Sequence, residues 1–168
     1  MNAPFMPSVP ADKTVLEVVN MLSPPGGDGL RGLIEAVMEG NDQLTRPHKE
    51  MLAAFISTLN CANYCTAHHT NAAKEWGVEP AIVDALGRDV DAVPIGAEFK
   101  PLLRFVQKLN DAPATVCQED VDGLLAAGWS EKSIHDAICV CARFNMMNRI
   151  TLAHGLVHKL EHGAQAAE

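Results

Sequence analysis

From His48 towards Trp76 the chain keeps a helical hydrophobic period for more than 25 residues, and that run limits what the rest of the molecule can be. Thr45 stands where an N-cap is needed, and Pro47 falls in the first turn, where a missing N–H matters little. A run of this length without an internal cap reads as two helices, and Leu59-Asn60 is the natural break. Asn60 is then expected to cap a second helix beginning at Cys61. Its first turn would place cysteines beside unpaired backbone N–H groups, a setting that lowers a thiol pKa.

The flanking segments are also helical in period. Lys13 to Leu22 reads as a short helix with Val15, Leu16, Val18, Val19 and Leu22 on its apolar face, and Leu30 to Met38 reads as a second that stops at Gly40-Asn41. Five of the ten prolines precede Asp28, so residues 1–29 are expected to form a leader with one short helix and a Pro/Gly loop at 23–29. Glu79 to Leu86, Glu98 to Leu109 and Gln118 to Ala127 follow as helices. Ser130 is expected to cap a last helix running to about Leu160, with a break near Gly155. No set of alternating strands is present, so the fold class is all-α: one helical domain over residues 30–160 and a flexible tail at 161–168.

Composition narrows the function. A chain of 168 residues can bury a single core without staples. Lys plus Arg number 13 against 21 Asp plus Glu, a formal charge of −8 with no basic tract, which argues against a nucleic-acid partner. The apolar stretches are interrupted well before the roughly 18 to 20 residues a membrane span requires. The amino terminus lacks the basic and apolar regions of a signal peptide, so a cytoplasmic protein is expected. Five cysteines are an odd number for a disulfide framework, and Cys117, Cys139 and Cys141 read as small core hydrophobes.

The chemistry is concentrated between Ser57 and His69, where Cys61, Tyr64, Cys65, His68 and His69 fall within about three helical turns. Cys61, Cys65 and His69 are spaced by four and share one side of a regular helix. A disulfide between the two cysteines would need Cβ atoms about 4 Å apart, where a regular helix sets them near 6 Å, so it demands local unwinding. The alternative is a Cys65 that works alone as a sulfenic acid and is resolved by another thiol. His69 is the candidate base or ion-pair partner of Cys65, whereas His68 points about 100° away, towards surface or interface. Zinc is the competing use of the cluster, but a second segment would have to supply one more ligand, and the Cys-rich candidate, Cys139-Val-Cys141, lies in a strongly apolar helix. Ile56, Leu59 and Ala67 point to a modest apolar pocket around the motif.

Glu50 would stand about 22 Å from Cys65 on one straight helix, so it reaches the site only if the chain turns back between them. There it could complete a proton relay with His69; otherwise it is a solvated first-turn glutamate. In the last helix, positions 134, 138, 141, 145, 148 and 152 form an expected core-facing stripe that includes Asn145 and Asn148. Buried amides need partners. They read as brackets to the active-site loop or to a neighbouring subunit, with Arg149 adding a charge-assisted bond to a carboxylate.

Glu50, the run Asn60 to His69, and Phe144-Asn145-x-x-Asn148-Arg149 together resemble the carboxymuconolactone decarboxylase and alkylhydroperoxidase D superfamily, specifically its peroxidase-related branch. The pattern of that branch is a glutamate, an Asn-x-Cys-x-Tyr-Cys-x-x-x-His run and a Phe-Asn-x-x-Asn-Arg helix. The resemblance spans roughly residues 30–160. It implies an alkylhydroperoxidase D-like helical fold and a homo-oligomer, commonly a trimer or hexamer. It also implies that Cys65 attacks a peroxide while His69 and Glu50 relay protons. One departure stands out: the family's first, resolving cysteine falls on Ala62, and this chain has its cysteine one position earlier, at Cys61. The expected function is a thiol-dependent reductase of hydrogen or organic hydroperoxides, using an external thiol reductant and no haem, flavin, nicotinamide or metal. The rival expectations are a binding protein that kept the fold without turnover, and a cofactor-free lyase or decarboxylase using Glu50 and His69 for proton transfer.

Overall fold

A computed structural model describes residues 4–156. Among them the elements are eight α-helices and two 3-10 turns, with no strand: α1 Val15–Leu22, α2 Pro24–Met38, α3 Arg46–Leu59, α4 Asn63–Glu75, α5 Pro80–Ala85, α6 Phe99–Asp111, α7 Gln118–Ala126 and α8 Glu131–His154. The all-α expectation holds, and no described helix is long and apolar enough to cross a membrane.

α3 is the axis of the bundle. Every residue from Lys49 to Ser57 is buried, because α4, α5, α6, α8 and the end of α2 surround it. Its apolar residues Met51, Leu52, Phe55 and Ile56 join Leu102, Leu103, Val106, Val140 and Phe144 in the main core. Lys49 is a cation sealed into that axis, 2% exposed. Its Nζ donates to the Val37 carbonyl at 2.9 Å, to the Glu39 carbonyl, and to Asp136 Oδ2 at 3.1 Å. It thereby satisfies orphan carbonyls at the end of α2 and pins that end to α3 and α8.

A second, smaller cluster joins Val9, Val15, Val18 and Leu30 to Met147 and Leu156, with Tyr64 packed against it. It seats the α1–α2 pair on α8. Thr14 caps α1 in a reciprocal box with Glu17.

Several expectations need correction. Residues 23–29 are not a loop: α2 begins at Pro24, because prolines are tolerated in a first turn. Gly27 is there for contact, since a Cβ on it would collide with Asn20. The expected α8 stripe holds in part: Ile134, Cys141 and Asn148 are buried, Ile138 and Leu152 are exposed, and the buried side also takes in Ala137, Val140, Phe144, Met147 and Thr151. Cys117 is exposed and Cys139 half-buried, leaving Cys141 as the core thiol of the three. Cys117 lies at the solvent-facing start of α7, where its backbone N–H donates to Asp120 at 2.9 Å. α8 ends at His154 with Gly155 left-handed at φ 66°; the expected extension to Leu160 and the tail at 161–168 lie outside the described residues.

Candidate active site

The α3–α4 link is where local sequence and site geometry meet. Asn60 does not open a helix; it closes α3, its N–H bonding to the Ile56 carbonyl at 3.0 Å. Cys61 follows in the left-handed region at φ 54°. The Cys61 N–H reaches the Thr58 carbonyl at 3.0 Å and the Ala62 N–H reaches that of Ser57 at 2.9 Å, the two bonds of a Schellman turn. α4 then starts at Asn63, after Ala62, without a side-chain cap. Cys61 is therefore exposed outside the helix, whereas Cys65 lies in the first turn of α4 and is 4% exposed.

This turn folds α4 back on α3 and brings Glu50 to His69, nineteen residues later: Glu50 Oε2 lies 2.6 Å from His69 Nδ1. The other oxygen, Oε1, accepts from Arg46 Nε at 2.7 Å and pairs with Arg46 Nη2 at 2.7 Å. Burial pushes the Glu50 carboxyl up, but the bonds and charges of His69 and Arg46 outweigh it and hold it below the usual carboxylate range. Burial lowers His69 to about 4 against the pull of Glu50, so at neutral pH the ring is uncharged. An ionised Glu50 only accepts, so the ring proton sits on Nδ1 and Nε2 keeps its lone pair.

Cys65 does not have the lowered pKa expected of it. Burial pushes the thiol up, opposed by the Thr151 hydroxyl and the Arg143 charge; the helix start is the weaker influence because the sulfur is enclosed. Cys65 Sγ lies 3.5 Å from Thr151 Oγ1, and that hydroxyl donates to the Met147 carbonyl at 2.8 Å. The S–H accordingly donates to Thr151 in the resting thiol.

Cys65, His69, Glu50 and Tyr64 line one cavity of about 280 Å³, together with Arg46, His68, Arg143, Phe144 and Met147. Its roof is Thr14, Val15 and Leu16 of α1 and Ile34 and Met38 of α2, so the segment read as a leader builds the site. The expected lining by Ile56, Leu59 and Ala67 is replaced by these residues; Ile56 is fully buried in the main core. His68 is exposed at the rim and T-stacks with His69 at 4.8 Å. The His69 ring also stands edge-on to Phe144, 4.5 Å between centroids. Tyr64 is half-buried, and its hydroxyl is raised in pKa chiefly by burial, with the Val15 backbone opposing.

The amides of α8 bracket the link. Asn145 Nδ2 donates to Asn110 Oδ1 at 2.8 Å, Asn110 Nδ2 to Asn60 Oδ1 at 3.1 Å, and Asn60 Nδ2 to Asn145 Oδ1 at 3.5 Å. Asn148 Oδ1 accepts from Ser57 at 3.1 Å. Among the described residues Arg149 finds no carboxylate: Nη1 donates to the Asn145 carbonyl at 2.8 Å and side-chain oxygen at 2.6 Å, stiffening the bracket one turn away. Arg46, Arg143 and Thr151 were not singled out from sequence. Arg143 and Thr151 lie on the buried side of α8 that contains Phe144 and Met147, so a helical wheel centred on Phe144 picks out both.

A helical hairpin carrying a carboxylate–imidazole pair beside an enclosed thiol defines the class of the molecule, and comparison places it. The profile of the carboxymuconolactone decarboxylase family matches residues 24–107, and the chain belongs to that family. The fold is similar to an alkylhydroperoxidase D core, an uncharacterised peroxidase-related protein from Ralstonia eutropha JMP134, with a TM-score of 0.80 at 20% identity over 88% of this chain and 77% of that one. It is similar also to an uncharacterised peroxidase-related protein from Silicibacter sp. TM1040, TM-score 0.77 and 21% identity over 93% of both chains. A cysteine-to-alanine form of the debrominase Bmp8, in complex with 2,3,4-tribromopyrrole, has a TM-score of 0.71 at 18% identity over 95% of this chain and 91% of its own. No curated protein matches the chain by sequence.

Proposed function

We propose that the protein is a thiol-dependent peroxidase in which Cys65 reduces a hydroperoxide. The observation that carries this is the 2.6 Å Glu50–His69 pair in the wall of the cavity that also contains Cys65. The pair presents an uncharged imidazole with a free Nε2 to a cavity whose thiol is protonated at rest. The Cys65 proton passes to His69 Nε2, with Glu50 stabilising the imidazolium. On deprotonation the Thr151 hydroxyl turns from the Met147 carbonyl to the thiolate. The thiolate attacks the terminal oxygen of ROOH, the O–O bond breaks, and RO⁻ takes the proton from His69 to leave as ROH. Cys65 is then a sulfenic acid, two electrons more oxidised. A thiol condenses with it, releasing water: an external thiol gives a mixed disulfide that a second external thiol resolves, whereas Cys61 gives the Cys61–Cys65 disulfide, which one external dithiol reduces. Cys61, exposed on the strained link, is a candidate for the condensing thiol, and an external dithiol is the other source.

The reading includes an external thiol reductant and a homo-oligomer, trimer or hexamer, supported by the exposed Ile138, Met146 and Leu152 on the outer side of α8. Intact mass after one equivalent of cumene hydroperoxide tests the chemistry. A gain of about 16 mass units that needs only Cys65 establishes the sulfenate. A loss of about two that needs both residues establishes a Cys61–Cys65 disulfide. An unchanged mass refutes the peroxidase and leaves the second reading, a lyase or decarboxylase driven by Glu50 and His69, which the raised pKa of Cys65 favours. That activity would survive alkylation of the thiols.

A further inference from the structure

Arg143 is 8% exposed and lines the cavity beside Cys65. Its Nε and Nη1 are enclosed with no hydrogen-bond partner among the described residues. The contact found for its charge is the face of the adjacent Phe144, 4.2 Å from Cζ to the ring centroid. Such a guanidinium is out of balance, since buried N–H groups without acceptors are destabilising and a buried cation more so. The charge of Glu50 in the cavity wall favours the cation at a distance but gives it no hydrogen bond, since Oε1 is engaged by Arg46 and Oε2 by His69. Burial pulls Arg143 down to about 10, which leaves it a cation at neutral pH.

Two arginines against one carboxylate among the described lining residues, with His69 uncharged, give the cavity an excess of positive charge in a chain whose formal charge is −8. The other lining groups include Val15, Leu16, Ile34, Met38, Phe144 and Met147, an apolar sleeve leading to the charge. About 280 Å³ suits a small organic molecule, near the lower end of ligand-site volumes.

From the unpartnered Arg143 we propose that the cavity takes an organic anion, a molecule with an apolar body and a carboxylate, and that Arg143 is the carboxylate receptor. A carboxylate supplies the planar pair of acceptors that a guanidinium fork matches. The proposal deepens the peroxidase reading by naming its substrate class, a carboxylated hydroperoxide, and rests on that reading for the peroxide end alone.

Calorimetric titration with benzoate and with its uncharged isostere benzamide tests it on the full chain without turnover. Benzoate is expected to bind the wild type and to weaken about ten- to a hundredfold in Arg143→Gln, the range for a hydrogen bond to a charged group. Arg143→Lys should recover part of the loss, and benzamide should bind weakly throughout. Benzamide binding equal to benzoate, benzoate binding unchanged in Arg143→Gln, or no benzoate binding at millimolar concentration would each overturn the proposal. Should Arg143→Gln misfold, alkylation of the wild type decides. The rate ratio of iodoacetate to iodoacetamide should be higher at Cys65 than at the exposed Cys61, and an equal ratio overturns the site. If benzoate binds through Arg143 while peroxide leaves Cys65 unchanged, the peroxidase reading alone has failed.

Discussion

Four helices of this bundle end in the same hydrogen-bonded turn, and at α4, α7 and α8 the left-handed residue is Gly77, Gly128 or Gly155. At the end of α3 it is Cys61. A side chain in that conformation is disfavoured by roughly 1 to 2 kcal/mol, so glycine is the residue a stable turn selects. Four positions on, Cys65 has the opposite setting: ordinary helical backbone, an enclosed sulfur, and a hydroxyl partner in Thr151. One thiol is accessible on a strained link, the other is protected on a relaxed helix. The division would serve the proposed thiol cycle, which needs a reacting sulfur shielded from solvent and a second thiol that is accessible.

The strongest way to break this contrast is to exchange the roles by mutation. Cys65→Ser should abolish peroxide consumption, while Cys61→Ser should leave the first oxidation, read as single-turnover loss of peroxide, at the wild-type rate. Equal losses in both variants would erase the distinction. Next in size is the relay: His69→Gln should slow that oxidation by about 10² to 10⁴, the usual contribution of a positioned acid or base.

The same histidine makes a stability prediction. Its folded pKa, about 4, lies below the unfolded value near 6.5. Between these values the unfolded chain binds more protons, so stability falls as pH drops through this window. Glu50, held low in the fold, is also destabilising to protonate, in the same direction. The melting temperature should therefore decline from pH 6.5 to 4, and the slope should flatten in His69→Gln.

Smaller effects sharpen the comparison further. Thr151→Val removes the hydroxyl that turns to the thiolate and should raise the Cys65 pKa, slowing its alkylation at pH 8 several-fold, in keeping with one hydrogen bond of about 1 kcal/mol. Cys61→Gly should stabilise the protein by about 0.5 to 1 kcal/mol, the relief at a left-handed position less the entropy a glycine adds to the unfolded chain. A denaturation midpoint that moves the other way would show that the Cys61 side chain makes a contact worth more than its strain.

What was legible in the sequence was local. Ser130 announces α8 because its hydroxyl accepts the Ser133 N–H, and Thr45 stands before α3 as expected, its hydroxyl meeting His48 Nδ1; the all-round burial of Lys49 to Ser57 exceeds what a one-sided helical period predicts. The meeting of Glu50 with His69 depended on a turn-back that the break near Asn60 allows but does not dictate. The turn itself was misread because its left-handed residue is a cysteine, which carries no signal for that conformation. The depression expected of the Cys65 pKa failed because enclosure of the sulfur is a tertiary effect, imposed by α8 and by the α1–α2 roof. The roof was out of reach for the same reason, and the two prolines of α2 resemble a loop in sequence although both occupy the first turn of a helix.

Most of that roof belongs to an apolar cluster separate from the one around α3, while Met38 at the end of α2 packs into the main core. Local opening tends to follow such divisions, so the amides of α1 and the start of α2 are expected to exchange before those of the axis helix, and the end of α2, pinned by Lys49, with the axis. A small molecule fits the cavity with the roof seated, whereas a protein too large for the cavity would reach Cys65 only if the α1–α2 pair lifted. Under the proposed thiol cycle, access of a macromolecular reductant would turn on how often that unit opens.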